Sequence, residues 1–327
     1  MRYSSLPERY TRLNGYNIRY LDYDAETHRT DDYKTLVLLH GIGASAERWL
    51  PVAPSLSNYF RVIVVDIIGF GYSDRPKSRY TTDFFISFLQ EFLENLHIDN
   101  KPSIIASSFS GRLATEFAIR FSNTIEKLVL AAPAGTKSLF TPAFLHYIFA
   151  AHTHAYEDAL TAFRNMVYDP RIVTADLIKD FMNRMYLPHA IDVLDSTLKE
   201  LSRSPQLHGR LSKIRNPTLL IWGENDPIIP KEEHASEYLE IPDSHVELIP
   251  QCGHTPFVEK PLEFTEIVLK FLSKQEELFS GDYKHKEKYK NWHQCRECGS
   301  LFECPPDRCQ YNTTKFRIEQ CVRCKAF

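Results

Sequence analysis

Six short, almost uninterrupted apolar runs are the feature of this sequence that most constrains its fold. Strands that are apolar on both faces belong to parallel sheets covered by helices on each side. Amphipathic segments at 82–96 and 261–273 have the periodicity of such covering helices. The apolar runs occupy residues 35–39, 61–65, 103–106, 128–132, 218–222 and 246–249. We therefore predict an α/β fold with a mostly parallel, doubly wound sheet flanked by helices.

A hairpin is predicted ahead of these runs. Asn14-Gly15 separates the segments 10–13 and 16–21, and this dipeptide between strand-like segments is a strong signal for a tight turn. The sheet should therefore begin with an antiparallel pair. In open α/β sheets, ligands bind at the carboxyl ends of the parallel strands, so the polar residues that follow the runs are candidate site residues.

Ser108 lies between the third apolar run and a helix-like segment. A serine in this position must adopt a strained turn, which requires small residues two positions before and after it; Ala106 and Ser110 meet that need. The turn exposes the Ser108 hydroxyl and directs the Phe109 N–H to the same place, as a nucleophile beside half an oxyanion hole requires. Ser107 and Ser110 are alternative nucleophiles, but only Ser108 has the elbow pattern.

Asp226 and His254 each follow one of the last two runs, so they should lie at the same edge of the sheet as Ser108. The chain order Ser, Asp, His is that of the α/β-hydrolase triad. His254 would accept the Ser108 proton and return it to the leaving group, while Asp226 would fix the imidazole tautomer. Glu224 is the alternative acid, but its side chain should alternate away from that of Asp226.

The loop His40-Gly41-Ile42-Gly43 follows the first run and should complete the oxyanion hole, because glycines let backbone N–H groups approach a ligand closely. We assign the donor to the backbone of Ile42, with Gly43 as a possible second donor. His40 is interpreted as a structural residue that holds this loop.

Residues from about 10 to 273 resemble the α/β-hydrolase fold superfamily, specifically its cap-bearing branch with a serine nucleophile. The motifs that carry the resemblance are residues 40–43, 66–76, 106–111, 223–227 and 252–256. The resemblance implies a hydrolase fold and a Ser108–His254–Asp226 triad. It does not fix the substrate, because members of this superfamily cleave esters, thioesters, amides or carbon–carbon bonds, and some bind ligands without turnover.

A helical insertion is predicted at about 136–210, where strand-like runs are absent from the sequence. Such an insertion resembles a cap over the active site. Its aromatic and methionine residues would form an apolar pocket suited to an acyl chain or an aromatic substrate, although most of them are expected to pack between helices. His152, His154 and Arg164 are candidates for contacting a substrate carboxylate, although solvated positions are favoured for them.

Two C-x-x-C pairs, Cys295/Cys298 and Cys321/Cys324, are separated by 22 residues and predict a structural zinc ribbon. Cys304 and Cys309 lie between the two pairs. Three interpretations of them stay open: free thiols, a disulfide, or substitute zinc ligands. The N-terminus lacks the apolar core of a secretory signal, which favours a reducing cytoplasmic location and zinc over disulfides.

Charge and cysteine content divide the chain near residue 280. The net charge is −3 overall, but residues 281–327 carry +4 and hold six of the seven cysteines. We predict a hydrolase domain at 1–280 and a basic linker with the ribbon at 281–327. The hydrolase domain is expected to bind no nucleic acid and to span no membrane, whereas the ribbon could bind a protein or an anionic partner.

The main functional hypothesis is a serine hydrolase that cleaves a small apolar ester, thioester or related carbonyl compound without a catalytic cofactor. A carbon–carbon bond hydrolase that uses the same triad is an alternative. A second alternative, from another class, is a binding or regulatory protein that docks through its ribbon.

Overall fold

An eight-stranded sheet organises the described part of residues 6–273. The computed structural model describes residues 6–23, 34–98, 100–135, 141–273, 292–294 and 301–303. The sheet order is β1-β2-β4-β3-β5-β6-β7-β8. Its strands are β1 (Glu8–Leu13), β2 (Tyr16–Tyr23), β3 (Thr35–Leu39), β4 (Arg61–Val65), β5 (Ser103–Ser107), β6 (Leu128–Ala131), β7 (Thr218–Gly223) and β8 (Ser244–Ile249).

The sheet begins with an antiparallel hairpin and continues in parallel. β1 pairs with β2 through a turn at Asn14 and Gly15, whose φ angles of 49° and 89° are both positive, as a type I′ turn requires. β2 is antiparallel to β4, and every later pairing from β4 to β8 is parallel. The predicted hairpin and the predicted mostly parallel sheet are both confirmed.

Helices cover both faces because the strands are apolar on both sides. In β3, Val37 and Leu39 contribute to one apolar core, while Leu36 and Leu38 contribute to the other. The first core contains residues of α2 to α8, and the second contains residues of α1, α9 and α10. The helices are α1 (Ala53–Leu56), α2 (Thr82–Asn95), α3 (Phe109–Phe121), α4 (Pro142–Thr153), α5 (Tyr156–Asn165), α6 (Ala175–Met185), α7 (Ala190–Ser202), α8 (Lys231–Tyr238), α9 (Pro256–Glu259) and α10 (Pro261–Leu272).

Four consecutive helices, α4 to α7, are inserted between β6 and β7 and lie within the predicted insertion at 136–210. Polar caps begin two of them: Thr141 accepts the Phe144 N–H at 3.3 Å and Thr174 accepts the Leu177 N–H at 3.2 Å. These caps satisfy backbone N–H groups of the first helical turn and so favour helix starts at Pro142 and Ala175.

The tail is described only in part. β9 (Trp292–Gln294) pairs antiparallel with β10 (Leu301–Glu303). The predicted zinc ligands Cys295, Cys298, Cys321 and Cys324 lie outside the described residues, as do Cys304 and Cys309. In the part of the chain that is described, no helix has both the length and the apolar composition of a membrane-spanning segment.

Candidate active site

Ser108 occupies a strained position between β5 and α3. Its φ of 56° and ψ of −121° lie outside the regions that non-glycine residues favour, and such strain persists only where the surroundings enforce it. The surroundings do so through hydrogen bonds: the Ser108 N–H donates to the Ala131 carbonyl at 2.9 Å, and its own carbonyl accepts the Ala134 N–H at 2.9 Å. The predicted elbow is therefore present, with Ser108 at its centre.

Two small residues allow this turn. A Cβ on Gly111 would lie 2.6 Å from the Cβ of Pro133, so α3 can pack this closely against the segment after β6 only with glycine there. The buried Ser110 hydroxyl lies 2.8 Å from the Leu39 carbonyl oxygen and accepts the Ser107 N–H at 3.1 Å. Because the Ser110 hydroxyl is engaged with the backbone, it contributes to the elbow's structure.

His254 and Asp226 form a buried, hydrogen-bonded pair. The Nδ1 of His254 lies 2.8 Å from Oδ2 of Asp226, while Oδ1 of Asp226 accepts the N–H groups of Ile228 and Ile229 at 2.8 and 2.9 Å. Since the carboxylate can only accept, we infer that Nδ1 carries a proton and that Nε2 is free to act as a base. Glu224 is exposed, and its backbone carbonyl accepts a hydrogen bond from Lys231.

Glu259 fixes the loop that carries His254, a role that the sequence analysis did not identify. Its carboxylate accepts the N–H groups of Gly253, Thr255 and Tyr168 at 2.8, 3.0 and 2.8 Å. The His254 N–H donates to the Met166 carbonyl at 2.9 Å. The imidazole position is therefore set by the sheet, by α9 and by the insertion together.

The loop after β3 runs directly beside the elbow. A Cβ on Gly41 would lie 3.4 Å from the Ser108 Cβ, and Gly43 has a φ of 67°. Phe109 is the first residue of α3, so its N–H has no acceptor within the helix. The buried His40 accepts the Ile67 N–H at 3.1 Å, in keeping with its predicted structural role.

One hydrogen bond joins this loop to the insertion. The hydroxyl of Tyr147, on α4, donates to the Ile42 carbonyl at 2.9 Å, and burial raises the pKa of Tyr147 to about 12. The phenol therefore remains protonated and able to donate at neutral pH. This contact is absent from the sequence predictions because it depends on how α4 packs over the loop.

A cavity of about 590 Å³, counting the space at its mouth, contains both Ser108 and His254 in its wall. Its apolar surface comes from both the sheet domain and the insertion. The apolar residues that line it include Ile42, Phe144, Phe163, Met166, Ile228 and Phe257. Four aromatic or methionine residues of the insertion, Phe144, Tyr147, Phe163 and Met166, thus reach the cavity, whereas Phe149 and Tyr186 are 59% and 62% exposed.

Two arginines that the sequence analysis did not select, Arg48 and Arg184, also line the cavity. The basic residues that it did consider lie elsewhere: His152 contacts Asp195 at 3.0 Å, His154 stacks on Tyr186, and Arg164 is exposed. Arg184 is one of several charged residues on the amphipathic helix α6, so its sequence context is that of a solvated residue. Its 3% exposure results from tertiary packing.

Among the described residues, no group of three or more histidine, cysteine, aspartate or glutamate side chains could hold a metal ion. The predicted zinc ligands of the tail lie outside those residues.

Comparison with known proteins gives a consistent result. A family model described as alpha/beta hydrolase fold matches residues 34–261. The 2-hydroxy-6-oxo-6-(2'-aminophenyl)hexa-2,4-dienoic acid hydrolase of Metapseudomonas resinovorans is 29% identical over 294 residues, which cover 84% of this chain and 94% of that protein.

A second relative and a solved structure are also hydrolases that this chain resembles. The 2-hydroxy-6-oxononadienedioate/2-hydroxy-6-oxononatrienedioate hydrolase of Klebsiella pneumoniae is 29% identical, with 75% of this chain and 88% of that protein covered. The crystal structure of the CarC serine hydrolase, which is involved in carbazole degradation, superposes with a TM-score of 0.70 at 26% identity, covering 82% of this chain and 99% of that chain.

Proposed function

The chain belongs to the alpha/beta hydrolase fold family, and we propose that it is a serine hydrolase that cleaves a carbon–carbon bond in a 2-hydroxy-6-oxo-dienoic acid or a closely similar compound. The observation that carries this proposal is the strained Ser108, which opens onto the same cavity as the Asp226-bound His254. The relatives named above supply the substrate class. They favour the carbon–carbon alternative of the sequence analysis over the ester hydrolase that was its main hypothesis.

In the first step, Ser108 would attack the C6 ketone of the substrate. His254 removes the Ser108 proton as the hydroxyl oxygen adds to the C6 carbonyl carbon of the substrate. The carbonyl oxygen becomes an oxyanion, which the N–H groups of Ile42 and Phe109 would stabilise. These two donors are the proposed oxyanion hole, since both belong to backbone segments that adjoin Ser108.

Collapse of that adduct breaks the bond between C5 and C6. In the tautomer with a ketone at C2, the electron pair left on C5 delocalises through the double bond to the C2 oxygen. The proton held by His254 then returns to the leaving fragment, and the other fragment remains as an ester of Ser108. Water, deprotonated by His254, hydrolyses that ester to a carboxylic acid, so the net reaction consumes one water.

The insertion acts as a cap in this proposal. Its aromatic residues cover the apolar part of the cavity, which suits the apolar end of such a substrate. Arg184, on α6, supplies positive charge to the same cavity. A cation near the acid end would bind the carboxylate and also stabilise the charge that develops on the C2 oxygen during bond cleavage.

The proposed activity predicts a preference that can be measured. We expect 2-hydroxy-6-oxo-6-phenylhexa-2,4-dienoate to give benzoate and 2-hydroxypenta-2,4-dienoate, with a kcat/KM at least about tenfold above that of p-nitrophenyl butyrate. The loss of dienone absorbance and chromatography of benzoate would measure it. Rapid cleavage of the ester with no cleavage of the ketone would restore the ester hydrolase hypothesis, and Ser108 labelling without any turnover would favour a binding protein.

We also propose that the tail binds structural zinc through Cys295, Cys298, Cys321 and Cys324, because β9 and β10 are separated in sequence by the first C-x-x-C pair. Protein purified under reducing conditions should contain about one zinc per chain by elemental analysis. Changing Cys295 and Cys298 to serine should abolish the zinc content. As a control, truncation after Ser280 should leave a folded protein whose Ser108 still reacts; zinc-free wild-type protein would contradict the proposal.

A further inference from the structure

Arg48 lines the cavity from the side of the sheet domain. It lies in the short 3-10 helix Ala46–Trp49, which directly follows the loop of Ile42 and Gly43. Arg184 reaches the same cavity from α6 of the insertion. The cavity is therefore lined by two guanidinium groups, one from the sheet domain and one from the insertion. The reaction proposed above uses only Arg184.

Neither arginine has a salt bridge within the part of the chain that the structure describes. The carboxylates close to Arg48 in the structure have other partners. Glu47 contacts Arg19 at 2.6 Å, and Glu259 accepts the backbone N–H groups of the His254 loop. Arg48 also makes no side-chain hydrogen bond to a described residue, so its five N–H donors remain available.

The positive charge at this place is costly without an anion. The pKa of Arg48 is lowered to about 10, mainly by burial; Tyr147 and Glu259 raise it, and the nearby Arg184 lowers it. Arg48 nevertheless remains protonated at neutral pH. The Arg184 side chain is hydrogen-bonded to Tyr72, but its Nε is buried and has no hydrogen-bond partner among the described residues. Buried charges and buried donors are normally paired, so both arginines favour an anionic ligand in the cavity.

We propose that Arg48 is a specificity-determining residue that binds the substrate carboxylate together with Arg184, so that the enzyme selects acids over neutral analogues. The inference deepens the proposed function and rests on it for the identity of the substrate. Guanidinium groups suit this role because their planar N–H donors match a carboxylate with two parallel hydrogen bonds. An arginine on each side of the cavity would also fix which end of the substrate lies away from Ser108.

Direct binding tests this inference without requiring turnover. Sorbate (hexa-2,4-dienoate) carries the carboxylate and the diene, and sorbamide is its neutral analogue. Calorimetric titration of the full-length protein should give a lower Kd for sorbate than for sorbamide. The selectivity is the Kd of sorbamide divided by the Kd of sorbate. Arg48→Met should reduce this ratio by about 10- to 100-fold, the range for a hydrogen-bonded charged pair. Arg48→Lys should restore part of that selectivity, since it keeps the charge but not the planar donors.

Arg164→Met is the matched control, because Arg164 is exposed on α5. It should leave the sorbate-to-sorbamide ratio at the wild-type value. If circular dichroism shows that Arg48→Met unfolds the protein, the test is the selectivity of Arg48→Lys compared with that of the wild type. An unchanged ratio in the folded Arg48 variants, or equal affinity of the wild type for both compounds, would overturn the proposal. If sorbate selectivity depends on Arg48 but no dienoate is cleaved, the proposed function fails and the carboxylate site stands.

Discussion

Ser108→Ala should lower kcat by on the order of 10⁴-fold or more while the protein remains folded, since the loss of a triad nucleophile removes the covalent route. A fluorophosphonate probe should label wild-type protein at Ser108 and should not label the variant. The fold should survive because the elbow is held by backbone hydrogen bonds to Ala131 and Ala134, which an alanine at position 108 retains. Mass spectrometry of the labelled peptide and steady-state rates measure both effects.

Ser107→Ala and Ser110→Ala are the controls that fix the identity of the nucleophile. Both should keep fluorophosphonate labelling at Ser108. Ser110→Ala should also destabilise the protein, by about 1 kcal/mol or more, because it removes a buried hydroxyl that is bonded to two backbone segments. Labelling that survives in Ser108→Ala and disappears in either control would show that the wrong serine was chosen.

His254→Ala should reduce kcat by several orders of magnitude, because Ser108 then has no base to accept its proton. Asp226→Asn should have a comparable effect. An asparagine can present its NH₂ group to Nδ1 of His254, which would favour the wrong imidazole tautomer for accepting a proton at Nε2. Steady-state kinetics with the preferred substrate, together with thermal denaturation to verify folding, would measure these losses.

Glu224→Gln provides the comparison for the acid, since Glu224 is exposed and two residues from Asp226. It should retain most of the wild-type activity. If instead Glu224→Gln lost as much activity as Asp226→Asn, the hydrogen bond between Asp226 and His254 would not be the one that matters for catalysis.

The sequence predicts the scaffold well because each part of it depends on local patterns. Asn14-Gly15 specifies its turn through the positive φ angles that these residues tolerate. Strands β3 to β7 are apolar on both faces, and that pattern alone requires a covered sheet. Ser108, Asp226 and His254 could be selected because each lies within five residues of the carboxyl end of a strand, where side chains from distant parts of the chain meet.

The surroundings of these residues could not be predicted in the same way. α4 carries apolar residues around most of its circumference, so its sequence does not distinguish Phe144, which lines the cavity, from Phe149, which is exposed. Arg48 and Glu259 follow the motifs by only a few residues. The cavity position of Arg48 and the hydrogen bond from the Tyr168 N–H to Glu259 nevertheless come from packing between separate segments. Such contacts arise only when the insertion and the sheet domain come together.

The hydrogen bond from Tyr147 to the Ile42 carbonyl has a consequence for protein engineering. It joins the insertion to the peptide segment that is proposed to supply an oxyanion donor, and a Cβ on Gly43 would lie 2.6 Å from the same hydroxyl. A chimaera that receives its insertion from a relative would therefore have to keep both a phenol at position 147 and a glycine at position 43. Replacing α5 or α6 would disturb the same junction, because the rings of Phe163 and Phe181 pack against Tyr147.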